Sequence, residues 1–168
     1  MNYEENFNQK LIIICGSPCV GKTTVTESLF ESYENSAYLD DDWVWRVNPF
    51  IMDDPRNKAI HENMPFVLSN YLNLNFKYVF LSSVRMIDEG NREYLLNKIT
   101  ASNYMTIGFT LTCSEDTLAE RHKKRGDKWE CSFEWLLDRY PNDFIINTDN
   151  KTIEQIVYEI KNIIDNHK

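Results

Sequence analysis

Residues Gly16-Ser17-Pro18-Cys19-Val20-Gly21-Lys22-Thr23 match the spacing G-x-x-x-x-G-K-[ST] at every fixed position. A loop of this kind turns backbone N–H groups toward a polyphosphate, and its glycines allow a close approach that a Cβ would obstruct. Lys22 is the point charge for the β- and γ-phosphates, and the Thr23 hydroxyl is the expected Mg²⁺ ligand. Ser17, Pro18, Cys19, Val20 and Thr24 are the remaining candidate contacts. The flanks agree with this reading. Lys10-Leu11-Ile12-Ile13-Ile14-Cys15 is an apolar, β-branched run suited to a buried parallel strand. After the loop, Val25, Leu29, Phe30 and Tyr33 recur at helical spacing. A nucleoside triphosphate is the expected ligand.

Two charged clusters stand apart from this loop. Asp40-Asp41-Asp42 follows a short strand expected at Ser36–Leu39. Like charges in succession repel, so a cation makes sense of them; the structural alternative is a solvated acidic turn. In an open α/β sheet the ligand crevice lies beyond the carboxyl ends of the strands, where these acids fall. Many P-loop proteins carry an aspartate after the third strand, but here Ser82-Ser83-Val84-Arg85 stands there. Asp40, Asp41 and Asp42 are therefore the available metal organisers. The second cluster is Arg121, Lys123, Lys124, Arg125 and Lys128. Arg121 and Arg125 share a helix face, and two guanidiniums aimed at one point suit a triphosphate whose charge grows during transfer. A solvated basic helix end is the alternative. Arg85 is read either as a substrate or phosphate contact or as half of an ordinary salt bridge.

The remaining chain supplies the elements that would hold these groups. A long connection from Val44 to Asn75 is mainly helical from Arg56 to Leu74, around Pro65. Its apolar residues, Trp43, Trp45, Phe50, Met52, Met64 and Phe66, are expected to line a pocket or to pack a small helical layer. Further strands are expected at Lys77–Leu81, Tyr104–Leu111 and Asp143–Ile146. Helices are expected at Asp88–Ile99, with Tyr94, Leu95 and Ile99 inward, at 114–124 from an N-cap at Ser114, and at Ser132–Tyr140. A last helix opens at the capping box of Thr152 and Gln155 and buries Ile153, Ile156, Val157, Ile160, Ile163 and Ile164. Strands alternating with helices imply a parallel α/β sheet.

Bulk properties narrow the classes. A net charge of −8 argues against general affinity for nucleic acid or an anionic membrane. No apolar run reaches the ~20 residues that span a bilayer. The polar stretch from Met1 to Asn8 does not read as a signal peptide. Cys15, Cys19, Cys113 and Cys131 show no zinc or disulfide spacing. A cytoplasmic location is expected, with no nucleic-acid or membrane partner, as a monomer or homodimer.

From Lys10 to about Asn166 the chain resembles small P-loop kinases of the nucleoside and shikimate kinase type, with a likeness also to chloramphenicol phosphotransferases. Asp40-x-Asp42 is similar to the D-x-D of shikimate kinases, Arg121-x-x-x-Arg125 to a mobile lid, and Asn147-Thr148-Asp149 to the turn that contacts adenine. The resemblance implies a three-layer P-loop NTPase fold, with a five-stranded parallel sheet in order 2-3-1-4-5, helices on both faces and a short lid. It implies one kinase domain over 1–168, with a substrate-binding insertion at about 44–75 and the lid at about 121–131. ATP and Mg²⁺ are the implied cofactors, with Thr148 and Asp149 joining the loop as nucleotide contacts. Asp40 and Thr23 would hold the metal. Asp42 would take the proton of a small-molecule hydroxyl, and Lys22, Arg121 and Arg125 would stabilise the transferring group. Asp41 can exchange roles with either neighbour. Asp40, Asp42, Trp43, Arg56 and Arg85 are the candidate acceptor contacts. Two alternatives stand: a nucleoside or nucleotide kinase, with Trp43 and Trp45 stacking a base and Arg56 or Arg85 on a monophosphate, and a non-catalytic ATP-binding module. A GTPase is disfavoured, because Asn97-Lys98-Ile99-Thr100 lacks the final aspartate of N-K-x-D.

Overall fold

A computed structural model describes residues 8–51, 53–126 and 130–167. Met52, Lys128 and the stretch through Phe7 lie outside these residues. In order, the elements are β1 (Gln9–Gly16), α1 (Lys22–Ser32), β2 (Ser36–Asp40), α2 (Asp41–Val44), α3 (Asn57–His61) and α4 (Asn63–Asn73), followed by β3 (Tyr78–Ser82) and a 3₁₀ turn at Arg85–Ile87. The chain continues through α5 (Glu89–Lys98), β4 (Tyr104–Thr112), α6 (Glu115–Arg125), β5 (Phe144–Asn147) and α7 (Ile153–Asn166).

The five strands form one sheet in order β2-β3-β1-β4-β5, and every neighbouring pair is parallel. This is the expected order. β1 lies in the middle, and the period-2 alternation of its side chains divides the core in two. Ile12 and Ile14 pack with Val25 and Leu29 of α1 and with Ile156, Ile160 and Ile164 of α7. Leu11, Ile13 and Cys15 face the other way, against Leu68 and Leu72 of α4 and Leu95 of α5. Each such side chain contributes roughly 1.5–3 kcal/mol when fully buried. Helices therefore cover both faces, and the carboxyl edge of the sheet stays open for the loops that follow β1, β2 and β3.

Local signals set several boundaries. The Thr152 hydroxyl accepts the Gln155 amide while the Gln155 side chain accepts the Thr152 amide, so the capping box is formed. Ser114 caps α6, and Gly126 ends it in a left-handed conformation at φ 73°. Pro65 is tolerated in the first turn of α4, where its missing N–H costs no helical bond.

Three expectations need correction. Ser132–Tyr140 is not a helix; it is irregular, with a turn closed by the Leu136 amide on the Phe133 carbonyl. Of its apolar residues only Leu136 is buried, while Phe133, Trp135 and Leu137 are exposed, so the segment lacks the tertiary packing that a short helix needs. Arg56–Leu74 is mainly helical, as expected, in two pieces, α3 and α4. Tyr94 points outward, and its hydroxyl donates to the Glu62 carboxylate. Phe50 and Phe66 are exposed and are not core residues, although the Phe50 ring meets Trp45 edge-on, whereas Met64 is buried. The acids after β2 also form a helical turn that the sequence did not announce.

Candidate active site

The loop between β1 and α1 has the geometry its glycines call for. Gly16 has φ +143°, and a Cβ there would lie 2.4 Å from the Leu111 carbonyl oxygen of β4. Gly21, at φ +99°, is the N-cap of α1 and leaves the first amides of that helix pointing into the loop. Cys19 also sits in the left-handed region, at φ 67°. Lys22 folds back so that its Nζ donates to the Ser17 carbonyl at 3.0 Å. Loss of solvent pushes its ammonium down to about 8, against the attraction of Asp42 and Asp40. The Ser17 hydroxyl is buried without a hydrogen-bond partner. A desolvated cation, an orphaned hydroxyl and a glycine-bounded cradle at a helix N-terminus form a site that a polyphosphate fits.

Asp40 ends β2 beside this loop. Its Oδ2 accepts from Thr23 Oγ1 at 3.0 Å, Tyr38 Oη at 2.8 Å and Ser82 Oγ at 2.6 Å. Its Oδ1 accepts the Asp42 amide at 2.9 Å. The sheet explains the convergence: Tyr38 and Asp40 are alternate residues of one strand, and the register places Asp40 opposite Ser82 on β3. Burial alone would raise this carboxyl, but the bonds from Ser82, the Asp42 amide, Tyr38 and Thr23 outweigh it and hold it below its ordinary value. Asp40 is thus a buried carboxylate tied to the one side chain of the loop expected to hold Mg²⁺, a donor set of the hard-oxygen kind that magnesium takes.

The next two acids differ sharply. Asp41 is buried and fully engaged: Ser83 Oγ donates at 2.6 Å, Trp45 Nε1 at 3.1 Å and Arg85 Nε at 2.9 Å, with Arg85 Nη2 closing the ion pair. The Arg85 guanidinium lies 4.3 Å above the Trp45 ring and 3.1 Å from His61 Nδ1. Asp41 fixes Arg85. Asp42 is exposed, and its carboxyl is raised by loss of solvent and then by the charges of Asp40 and Asp41, with Lys22 and Arg125 pulling the other way.

The other sequence candidates fall into two groups. Arg121 reaches the loop from α6: Nη1 donates to the Val20 carbonyl at 3.3 Å and to Thr148 Oγ1 at 2.9 Å, and Nη2 donates to the Thr148 carbonyl at 3.0 Å. It braces the phosphate loop against the turn after β5. Arg125 comes within 3.8 Å of Cys19 Sγ and within electrostatic reach of Asp42. Thr148 is buried, with its amide and hydroxyl on the Thr112 carbonyl, and Asp149 accepts the Ser114 amide at 2.9 Å. Trp43 is half exposed beside Asp42, edge-on to Tyr38. Arg56 is elsewhere, on the surface, where it pairs with Asp54.

Behind the loop lies a group the sequence reading missed. Arg92 of α5 is 1% exposed and makes a two-pronged ion pair with Asp143, which precedes β5, at 2.6 and 2.9 Å. Its Nε donates to the Met86 carbonyl at 2.7 Å, and its guanidinium stacks 3.8 Å from the Tyr140 ring. Asp143 also accepts from Thr110 Oγ1 at 2.8 Å. Gly108 leaves the room, since a Cβ on it would sit 1.8 Å from Asp143 Oδ1. Cys15, the residue before the phosphate loop, touches both partners, and burial pushes its thiol up to about 12.

The sheet order, the loop after β1 and the anion cradle together define a P-loop NTPase fold. The chain belongs to the AAA domain family, whose sequence profile matches residues 12–133. No curated protein sequence matches it significantly. Among solved structures it is similar to a gluconokinase from Sinorhizobium meliloti 1021, at 18% identity and a TM-score of 0.67, over 96% of this chain and 99% of that one. It is also similar to the tunicamycin resistance protein of Deinococcus radiodurans, at 16% identity and a TM-score of 0.66, over 93% and 95%. The APS kinase of Mycobacterium tuberculosis, in complex with AMPPNP and APS, matches at 14% identity and a TM-score of 0.64, over 94% and 98%. At these identities the likeness concerns the fold, which is the one small P-loop kinases use. Among the described residues, no helix is long and apolar enough to cross a membrane.

Proposed function

We propose that the protein is an ATP-dependent phosphotransferase that moves the γ-phosphoryl group to a hydroxyl of a small molecule. The observation that carries this reading is the joint between the loop and the acids: Thr23 hydrogen-bonded to a buried Asp40, with an exposed Asp42 of raised pKa as its neighbour. Two carboxylates whose surroundings push their proton affinities apart are suited to different tasks. Asp40, held ionised by four donors, would stand with Thr23 around Mg²⁺, which when bound neutralises phosphate charge. Asp42, solvent-accessible and poised upward, would take the hydroxyl proton as the acceptor oxygen gains the phosphoryl group and ADP departs. Lys22 and Arg125 would face the charge that spreads over the transferring group. Arg121, tied to Val20 and Thr148, would keep the loop in shape.

A coupled ADP-release screen over hydroxyl-bearing metabolites tests this, with the Asp42→Asn protein as control. Turnover that depends on an acceptor and on Asp42 supports the reading. Turnover equally fast in wild type, Asp42→Asn and Lys22→Ala overturns it.

A further inference from the structure

A cleft of ≈ 530 Å³ opens between the chain just after β3 and the irregular stretch that follows α6. One wall carries Arg85, Asp88 and Glu89, and the other carries Trp135, Asp138 and Arg139. Arg85 of the first wall is ion-paired with Asp41, the residue before Asp42, and this pair joins the cleft lining to the acids after β2. The second wall is positioned by the buried Arg92, which binds Asp143 and stacks on Tyr140.

The charges of this cleft are unequal. Arg85 is neutralised by its ion pair with Asp41 and covered by Trp45. That leaves Asp88, Glu89 and Asp138 against Arg139, in a chain of net charge −8. Asp88 spends part of its charge capping α5 through the Asn91 amide, and Arg139 offsets one of the other two carboxylates, so the lining keeps an acidic excess. Trp135, 44% exposed, adds an aromatic face. An incoming anion would meet net repulsion here, whereas an ammonium would meet carboxylates and a π face, and a sugar-like ring would lie flat on the indole.

We propose that this cleft receives the acceptor and selects one that bears a protonated amine beside its hydroxyls, an amino sugar or aminocyclitol, over a sugar acid or a phosphorylated acceptor. The inference rests on the phosphotransferase reading and adds the acceptor's charge class and the residues that read it. Asp138 is the specificity residue with the least other work.

The test uses the intact protein and matched probes: glucosamine, glucose and gluconate as one set, and 2-deoxystreptamine, myo-inositol and shikimate as the other. ADP release is measured for each, and thermal stabilisation is measured with Mg·AMPPNP alone and with Mg·AMPPNP plus each probe. The amine of each set is expected to give a kcat/KM at least ~10-fold above its neutral partner, with a preference that shrinks as salt rises. Asp138→Asn is expected to raise KM for the amine about 5-fold with kcat kept. Equal or better use of gluconate or shikimate, or an amine KM unmoved by Asp138→Asn, overturns the inference. So does stabilisation by Mg·AMPPNP that no amine increases, an outcome that leaves nucleotide binding standing. No stabilisation by Mg·AMPPNP at all would instead count against the phosphotransferase reading beneath it.

Discussion

Replacing Arg92 with leucine should be among the most destabilising single changes in the chain. The side chain removed is 1% exposed and its partner Asp143 2% exposed, so the substitution leaves a carboxylate in the interior with Thr110 Oγ1 and the Cys15 thiol as its donors among the described residues. Breaking a buried pair from one side costs about 3–5 kcal/mol, chiefly through the charge left uncompensated. The stacking on Tyr140 and the bond to the Met86 carbonyl go with it, although these losses overlap with the first and are not simply added. A loss of about 4 kcal/mol in a chain of this size lowers Tm by roughly 8–16 °C. Urea unfolding followed by circular dichroism measures it. The double variant Arg92→Leu/Asp143→Leu should recover most of the loss, because it removes both charges and fills the space with apolar groups. A single variant within about 1 kcal/mol of wild type, or a double variant no better than the single, would refute the claim that the cost lies in a stranded charge.

Further outcomes follow from the same geometry. Gly108→Ala, whose Cβ would sit 1.8 Å from Asp143 Oδ1, should destabilise by about 1–3 kcal/mol in the same urea assay, and less in the Arg92→Leu/Asp143→Leu background. Asp42→Asn should lower kcat about 10²–10⁴-fold with nucleotide affinity retained. Because the Asp42 carboxyl is raised, wild-type activity should fall with acid at a higher pH than an ordinary aspartate would give, and rate–pH profiles of the two proteins should differ in that limb. Lys22, brought down to about 8, must be protonated to meet phosphate. Nucleotide affinity should therefore be flat below that pH and weaken about tenfold per unit above it, as titration calorimetry across pH would show. Thr152→Ala should cost about 1 kcal/mol through the lost cap of α7, read from the urea midpoint.

Much of this architecture can be read from the chain because its determinants are local. The phosphate loop is eight consecutive residues, β1 is an uninterrupted apolar run, and the capping box of α7 spans Thr152 to Gln155. What could not be read depends on pairings distant in sequence. Ser82 lies 42 residues from Asp40, and only the parallel register of β2 and β3 reveals that its hydroxyl completes the carboxylate's coordination. Tyr38 was nearer to hand: two residues before Asp40 on an expected strand, it had to share that residue's face. Arg92 reads as an exposed residue of an otherwise polar helix, because a lone arginine is seldom buried and its partner lies 51 positions on. The helix expected at Ser132–Tyr140 did not form, although Phe133, Leu136, Leu137 and Tyr140 have helical spacing. Of Phe133, Trp135, Leu136 and Leu137 only Leu136 is buried against the core, and periodicity alone does not hold so short a helix.

The central claim is that the amides after β1, together with Lys22, grip a polyphosphate. Calorimetric titration of Mg·AMPPNP into wild type and Lys22→Ala, below pH 8 where the lysine is charged, addresses it most directly. Saturable binding at one site per chain, weakened at least ~10-fold by the substitution, is the expected result. No heat of binding in the folded wild type, or equal affinities in the two proteins, would contradict it.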